Sequence, residues 1–162
     1  MDFSVRPSTM ADLAAVDALL ARSYPKLLKA DYPPSVLVTA LPIISRAQPD
    51  LLACGTYYVA EAGDGRIIGA GGWTPDRKDK TRGHIRHVAT DDRVLRAGVG
   101  RALMDRSFAD ARAAGKTKLE CWATRTAVPF YTAVGFEVIG PMDVTLAGGV
   151  SFPSIRMHLA LA

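Results

Sequence analysis

The sequence predicts a mixed α/β fold of the α+β kind, with helices against a sheet that is partly antiparallel. Three observations support this fold class. Strand-like runs alternate with runs of helical period along the chain. An Asp-Gly turn within 62–66 joins two strand-like runs, which is typical of a hairpin. A glycine turn at 95–100 joins a further strand to a helix, so hairpins and strand–helix connections occur together.

The first fifty residues are predicted to form one strand and two helices. Residues 3–8 alternate apolar and polar side chains and form a short strand. The sequence T-M-A-D resembles a capping box and starts a helix over 9–22. One face of that helix carries its apolar side chains, which are Leu13, Val16, Leu19 and Leu20. The proline-rich segment 23–50 is expected to hold one short helix near 34–47.

The rest of the chain alternates strands and helices. A hairpin of strands 56–62 and 66–75 is followed by strand 84–90 and by a helix over 99–113. That helix places Val99, Leu103, Phe108 and Ala111 on one face, and Gly115 fits its end. The remaining predictions are a strand at 118–123, a short helix at 127–134, and strands at 136–140, 143–147 and 154–161.

Length and composition predict one soluble domain spanning 1–162. No apolar run approaches the roughly 18 residues of a membrane span. The first residues include an early Asp and no apolar signal core, so we expect a cytoplasmic protein that does not bind membranes. Cys54 and Cys121 do not form a C-x-x-C pair, and both are expected to be small buried side chains.

The net charge of +4 is concentrated in one segment. Residues 77–101 contain eight Lys or Arg and three Asp, so the positive charge lies around the glycine turn. A basic protein can bind nucleic acid, but no recognition motif or aromatic-interleaved basic run is present. We therefore expect no nucleic-acid partner, and a nucleic-acid-binding module remains only as an alternative.

The glycine turn has the features of a pyrophosphate cradle. A helix N-terminus offers unpaired N–H groups and a partial positive charge, and Gly98 and Gly100 place no side chain in the way of an anion. The Walker pattern G-x-x-x-x-G-K-[ST] is not present, and a dinucleotide fold needs a glycine where Leu103 stands. Acetyl-CoA binding and a glycine turn without a ligand remain.

At this point the sequence resembles the GNAT superfamily of acetyl-CoA-dependent N-acetyltransferases. The family's pyrophosphate motif is [RQ]-x-x-G-x-[GA], and Gly98-Val99-Gly100 matches its second half, with Leu95 at the first position. The run P-F-Y-T-A-V-G-F-E at 129–137 is similar to the family's F-Y-x-x-x-G-F segment. The family's usual Asn upstream of that segment is Thr124 here.

The resemblance implies a mostly antiparallel sheet that splays open between strands 4 and 5, where the acetyl-pantetheine arm enters. It also implies direct transfer of the acetyl group to an amine, with acetyl-CoA as cosubstrate and no metal. Tyr131 resembles the tyrosine that protonates the departing thiolate. The implied cofactor-binding residues are Val88, Ala89, Thr90, Leu95, Arg96, Ala97, Gly98, Val99, Gly100, Arg101, Thr124 and Tyr131.

His84 stands where some family members carry a glutamate base, and its imidazole could accept the proton of the amine. A surface histidine is the alternative, and Glu120 is a second candidate base. Strand alternation places His87 on the opposite face, which argues against a metal chelate of the two histidines. We expect the acceptor pocket near Tyr24, Lys26, Tyr32 and Trp73, and we expect Trp122, Phe130 and Phe136 in the core.

The leading function hypothesis is therefore an N-acetyltransferase that moves an acetyl group from acetyl-CoA to a primary amine of a small molecule or peptide. The alternative is a non-catalytic acyl-CoA binding or sensing domain. The expected partners are acetyl-CoA and the amine acceptor, and a homodimer is possible through the late strands.

Overall fold

The computed structural model describes residues 2–95 and 97–161, so Arg96, a predicted cofactor contact, lies outside the described residues. The strands are β1 (Phe3–Pro7), β2 (Tyr57–Ala62), β3 (Ile67–Pro75), β4 (Arg82–Thr90), β5 (Lys118–Ala123), β6 (Glu137–Thr145) and β7 (Ser151–Ala160). The helices are α1 (Leu13–Leu28), α2 (Pro34–Ile44), α3 (Pro49–Leu52), α4 (Val99–Ala113) and α5 (Val128–Ala133).

The seven strands form one sheet in the order β1-β2-β3-β4-β5-β7-β6. Every neighbouring pair is antiparallel except β4 and β5, which run parallel. That parallel pair is joined only at its start, where Arg82–His84 pair with Lys118–Glu120. Beyond His84 the two strands diverge, which confirms the predicted mixed α+β sheet that is splayed between its fourth and fifth strands.

Apolar cores cover both faces of the sheet. On one face α4 packs its predicted stripe, including Leu103 and Phe108, against the central strands. On the other face α1 and α2 pack against the sheet, with Leu20 and Tyr57 fully buried. The central strands therefore lie between two helical layers, and the gap between β4 and β5 opens between these layers.

Helix α1 is longer than the sequence predicts. The capping box of Thr9 and Asp12 is present at its start, but the helix continues through Pro25 to Leu28 instead of ending near residue 22. The buried residues Val16, Leu20, Tyr24 and Leu28 follow one another at four-residue steps. Their packing extends the buried stripe past the proline and outweighs the backbone hydrogen bond that Pro25 removes.

The late strands also differ from the prediction. Residues 137–145 form the single strand β6 rather than two strands. This strand lies at the edge of the sheet. An edge strand tolerates a proline such as Pro141. Trp122 is 45% exposed rather than buried in the core, since Leu119, Cys121 and Ala123 occupy the inward positions of β5. Cys54 is exposed after α3, whereas Cys121 is buried as predicted.

Among residues 2–95 and 97–161, every helix is too short or too polar to cross a lipid bilayer.

Candidate functional site

The divergence of β4 from β5 opens a cleft with a volume of about 240 Å³. Both strands line it, β4 with residues 84–88 and β5 with residues 121–123. Tyr131 of α5 and Tyr24 of α1 also line it, so residues from both faces of the sheet form its walls. The other apolar side chains that line it are Ile43, Ile44, Leu51, Val144, Leu146 and Phe152.

A β-bulge shapes the β4 wall of this cleft. Ala70 and Gly72 of β3 pair with Ala89 and Arg86 of β4, so β4 has one residue more than β3 between these two pairs. Within this segment of β4, His87 has a positive φ of 48°. As a result Ile85 packs into the α4-side core and Ala89 into the α1-side core, although strict alternation would put them on one face. The expectation that His87 faces away from His84 is therefore wrong.

Buried tyrosines hold the bulge from the α1 side of the sheet. The Tyr57 hydroxyl donates to the carbonyl of His87 at 2.8 Å, and the Tyr24 hydroxyl donates to the carbonyl of Val88 at 3.3 Å. The His87 ring lies against Tyr24, and its Nε2 lies 2.7 Å from the Ile44 carbonyl. Burial lowers the pKa of His87, so the neutral ring donates to that carbonyl from Nε2.

His84 lies between two carboxylates. Its Nε2 is 2.7 Å from Asp76 Oδ2, and its Nδ1 is 3.9 Å from Glu120 Oε2. Hydrogen bonds from the Asp79 backbone, from His84 and from the Lys78 backbone hold the pKa of Asp76 well below its usual range. An ionised carboxylate only accepts, so the Asp76 contact places the proton of neutral His84 on Nε2 and leaves Nδ1 as an acceptor.

Glu120 is occupied by structural partners. Arg156 donates two hydrogen bonds to its Oε1, and the Trp122 indole donates to its Oε2 at 2.8 Å. Burial alone would raise the pKa of Glu120, but the hydrogen bonds from Arg156 and Trp122 outweigh it and lower that pKa. Glu120 is therefore a poor proton acceptor, and its arrangement favours His84 over Glu120 as a base.

Tyr131 stands on the opposite side of the cleft from the bulge. It is buried beside the Cys121 thiol, and burial raises its pKa well above its usual value. Burial also raises the pKa of Cys121 to about 12. The Tyr131 hydroxyl therefore keeps its proton at neutral pH, and a thiol in these surroundings strongly resists ionisation.

The N-terminus of α4 follows the end of β4, as the sequence predicts. Gly98 is the N-cap with φ 84°, a left-handed conformation that other residues rarely adopt, and it has no side chain to cap the first turn. The unpaired N–H groups of that turn remain available to an anion. Position 100 also requires a glycine for packing, because a Cβ there would lie 2.9 Å from the Phe130 ring.

The other predicted cofactor contacts surround this turn. Leu95, Ala97 and Arg101 are exposed. The Nε atom of Arg101 lies 3.6 Å from Oδ1 of Asp105. Thr90 lies near Gly100, while the Val99 and Ala89 side chains are buried in the cores, so only their backbones remain for binding. Thr124 lines the cleft, and its hydroxyl accepts from the Ala127 N–H.

The four residues predicted near the acceptor lie in different parts of the structure, and only one of them lines the cleft. Tyr24 lines the cleft, but Trp73 is buried on the α4 side of the sheet. Lys26 forms a surface ion pair with Asp92. Tyr32 stacks on Phe152 and donates to the Pro153 carbonyl, which ties the end of α1 to β7. Sequence reasoning missed Asp76 and Arg86, although the pairing of Pro75 with Gly83 brings the end of β3 close to His84.

In the part of the chain that the structure describes, no three His, Cys, Asp or Glu side chains come together as a metal site.

The sequence profile of a known family, described as an acetyltransferase (GNAT) domain, matches residues 41–159. The chain belongs to the GNAT acetyltransferase family. A comparison by sequence with curated proteins gives no significant match.

Solved GNAT structures share the fold over nearly the whole chain. A PaiA N-acetyltransferase from Thermoplasma acidophilum, solved in complex with coenzyme A, has a TM-score of 0.76 at 13% identity over 99% of both chains. A GCN5-related N-acetyltransferase from Rhodopseudomonas palustris has a TM-score of 0.77 at 19% identity, over 99% of this chain and 96% of its own. Ard1 from Thermoplasma volcanium has a TM-score of 0.69 at 18% identity, over 100% and 99%. At these identities the likeness shows the fold.

Proposed function

We propose that this GNAT protein is a single-domain N-acetyltransferase that moves the acetyl group of acetyl-CoA to a primary amine of a small molecule or peptide. The observation that carries the proposal is the splayed cleft, which is lined by both Tyr131 and His84. Tyr131 can only donate a proton at neutral pH, and His84 can accept one at Nδ1. Direct transfer to an amine is assisted by one group of each kind.

Acetyl-CoA would lie along β4 and end at α4. The N–H groups behind Gly98 are suited to its pyrophosphate, and the exposed Arg101 adds positive charge there. The β4 backbone from Val88 to Thr90 would bind the pantetheine arm, which would pass through the gap next to Thr124. The thioester would then lie between Tyr131 and the bulge.

The chemical step needs a neutral amine and an acceptor for its proton. The amine nitrogen attacks the thioester carbonyl carbon, the C–S bond breaks, the amine loses one proton and the CoA sulfur gains one. His84 takes the amine proton at Nδ1, directly or through water. Asp76 positions the ring and stabilises the imidazolium that forms.

Tyr131 supplies the proton for the departing sulfur. Burial raises the pKa of the Cys121 thiol, which lines the same cleft, so a CoA thiolate leaving in these surroundings would gain from a proton. The Tyr131 hydroxyl donates to the sulfur as the C–S bond lengthens. Its phenolate then regains a proton from solvent, to which His84 releases its own.

The test is steady-state release of the CoA thiol over a panel of primary amines. Tyr131→Phe should lower kcat about a hundredfold while acetyl-CoA still binds, because general acid catalysis contributes on that order. Tyr58→Phe is the matched control, since Tyr58 donates to Asp110 away from the cleft. An unchanged kcat in Tyr131→Phe contradicts its role. Acetyl-CoA binding by the wild type without turnover of any amine supports the acyl-CoA sensing domain instead.

A further inference from the structure

Arg86 shares one face of β4 with His84. Their pairing with β3 is regular, Thr74 opposite His84 and Gly72 opposite Arg86, so the bulge does not intervene. Two residues on one face of a strand lie roughly 7 Å apart. A small molecule with an amine at one end and an acidic group at the other can therefore reach both side chains.

Arg86 has no carboxylate partner among the described residues. Its Nε donates to the Thr74 hydroxyl at 2.8 Å, and no carboxylate oxygen of the described chain lies within 4.0 Å of its guanidinium. By contrast Arg82 and Arg156, at the same end of the sheet, each have an acidic partner. Two guanidinium nitrogens of Arg86 thus remain for an anion that the protein itself does not supply.

The surroundings of Arg86 strengthen its preference for an anion. The residue is solvent-accessible, yet protein packs closely enough around the guanidinium to lower the pKa of Arg86. Nearby Arg77 lowers this pKa further, and the more weakly acting charge of Asp76 raises it in part. Arg86 remains charged at neutral pH. An acidic ligand would offset both the partial desolvation and the repulsion from Arg77.

The phosphates of CoA are not the expected partner of Arg86. Ile85, the residue between His84 and Arg86, packs into the core on the α4 side, so the two polar side chains point to the other face. The pyrophosphate cradle lies at the start of α4, behind the end of β4. Arg86 instead lines the cleft together with apolar residues such as Ile44, Leu146 and Phe152.

We propose that Arg86 binds a carboxylate of the acceptor, and that the acceptor is a free amino acid with an apolar side chain or a close analogue. This inference rests on the proposed function and specifies its substrate class. The amine would lie at His84, the carboxylate at Arg86, and the apolar side chain against the apolar residues that line the cleft.

The experiment measures product binding, so it does not require turnover. N-acetyl derivatives of leucine, methionine and phenylalanine, and the matching N-acetyl amides, are titrated calorimetrically into protein saturated with CoA. Each pair differs only in its carboxylate. The variants are Arg86→Gln and Arg86→Lys, with Arg112→Gln as the control, because it removes the same charge from an exposed position near the end of α4.

The wild type and Arg112→Gln should bind at least one acid at least tenfold more tightly than its amide. Arg86→Gln should remove that preference, and Arg86→Lys should retain part of it, since an ammonium lacks the paired geometry of a guanidinium. CoA affinity should be unchanged in every variant. Equal binding of acid and amide in all pairs, no binding of any acid, or a preference that survives in Arg86→Gln overturns the inference. Failure to bind CoA would instead reject the proposed function.

Discussion

Removing the hydroxyl of Tyr57 tests whether the bulge in β4 is held by side chains. Tyr57 is 1% exposed and donates to the His87 carbonyl at 2.8 Å. Tyr57→Phe leaves that carbonyl without its partner, which costs about 2 kcal/mol. For a domain of this length the melting temperature should fall by about 4–8 °C.

The same substitution should weaken acetyl-CoA binding. His87 is held at φ 48°, a conformation that a regular strand would not adopt, so the bulge relaxes more easily without the Tyr57 bond. If half of the lost free energy, about 1 kcal/mol, acts on the bulge, the Kd for acetyl-CoA rises about fivefold. Thermal unfolding and calorimetric titration of acetyl-CoA measure the two effects separately.

Tyr58→Phe is the control for this prediction. Tyr58 is the next residue of β2, equally buried, and its hydroxyl donates to Asp110 on the α4 side. Its loss should lower the melting temperature and leave the Kd unchanged. An acetyl-CoA Kd that is the same in Tyr57→Phe as in Tyr58→Phe would mean that Tyr57 does not shape the β4 wall of the cleft.

Other substitutions have equally specific expected outcomes. His87 is buried with a lowered pKa, so folding stability should be constant above about pH 6.5 and fall below it, and His87→Asn should flatten this dependence when melting is followed from pH 8 to 5. The Arg93 guanidinium lowers the pKa of Asp91 to about 2. As the pH falls from 4 to 2, the wild type should therefore lose up to about 2 kcal/mol of folding stability, and Asp91→Asn should not show this loss. Gly72→Ala should lower the melting temperature far more than Gly63→Ala, because a Cβ at Gly72 overlaps the backbone at the start of β2 and one at Gly63 meets nothing.

The local signals in the sequence were sufficient for much of the fold. The period of the apolar residues and the preceding glycine placed α4 at 99–113, which are its bounds in the structure. The Asp-Gly turn placed the β2–β3 hairpin, where Gly65 has a positive φ. These features depend on neighbouring residues along the chain, so they can be predicted without knowing what packs against them.

The parts of the site that depend on pairing between distant segments were not predictable in this way. The bulge exists because β4 has one residue more than β3 between two paired positions, and no local sequence pattern at His87 predicts it. The orientation of His84 depends on Asp76, which comes from the preceding strand-to-strand connection. The exposure of Trp122 follows from the register of β5, in which Cys121 occupies the inward position.

Calorimetric titration of acetyl-CoA into the wild type, Gly98→Asn and Gly98→Asp tests whether the start of α4 binds the pyrophosphate. Asn and Asp both tolerate the left-handed conformation of Gly98 and have the same shape, so the two variants differ in charge alone. We expect micromolar binding by the wild type, a Kd within about fivefold for Gly98→Asn, and a loss of more than tenfold for Gly98→Asp through repulsion of the pyrophosphate. No binding by the wild type, or equal binding by both variants, would contradict an acetyl-CoA site at the start of α4.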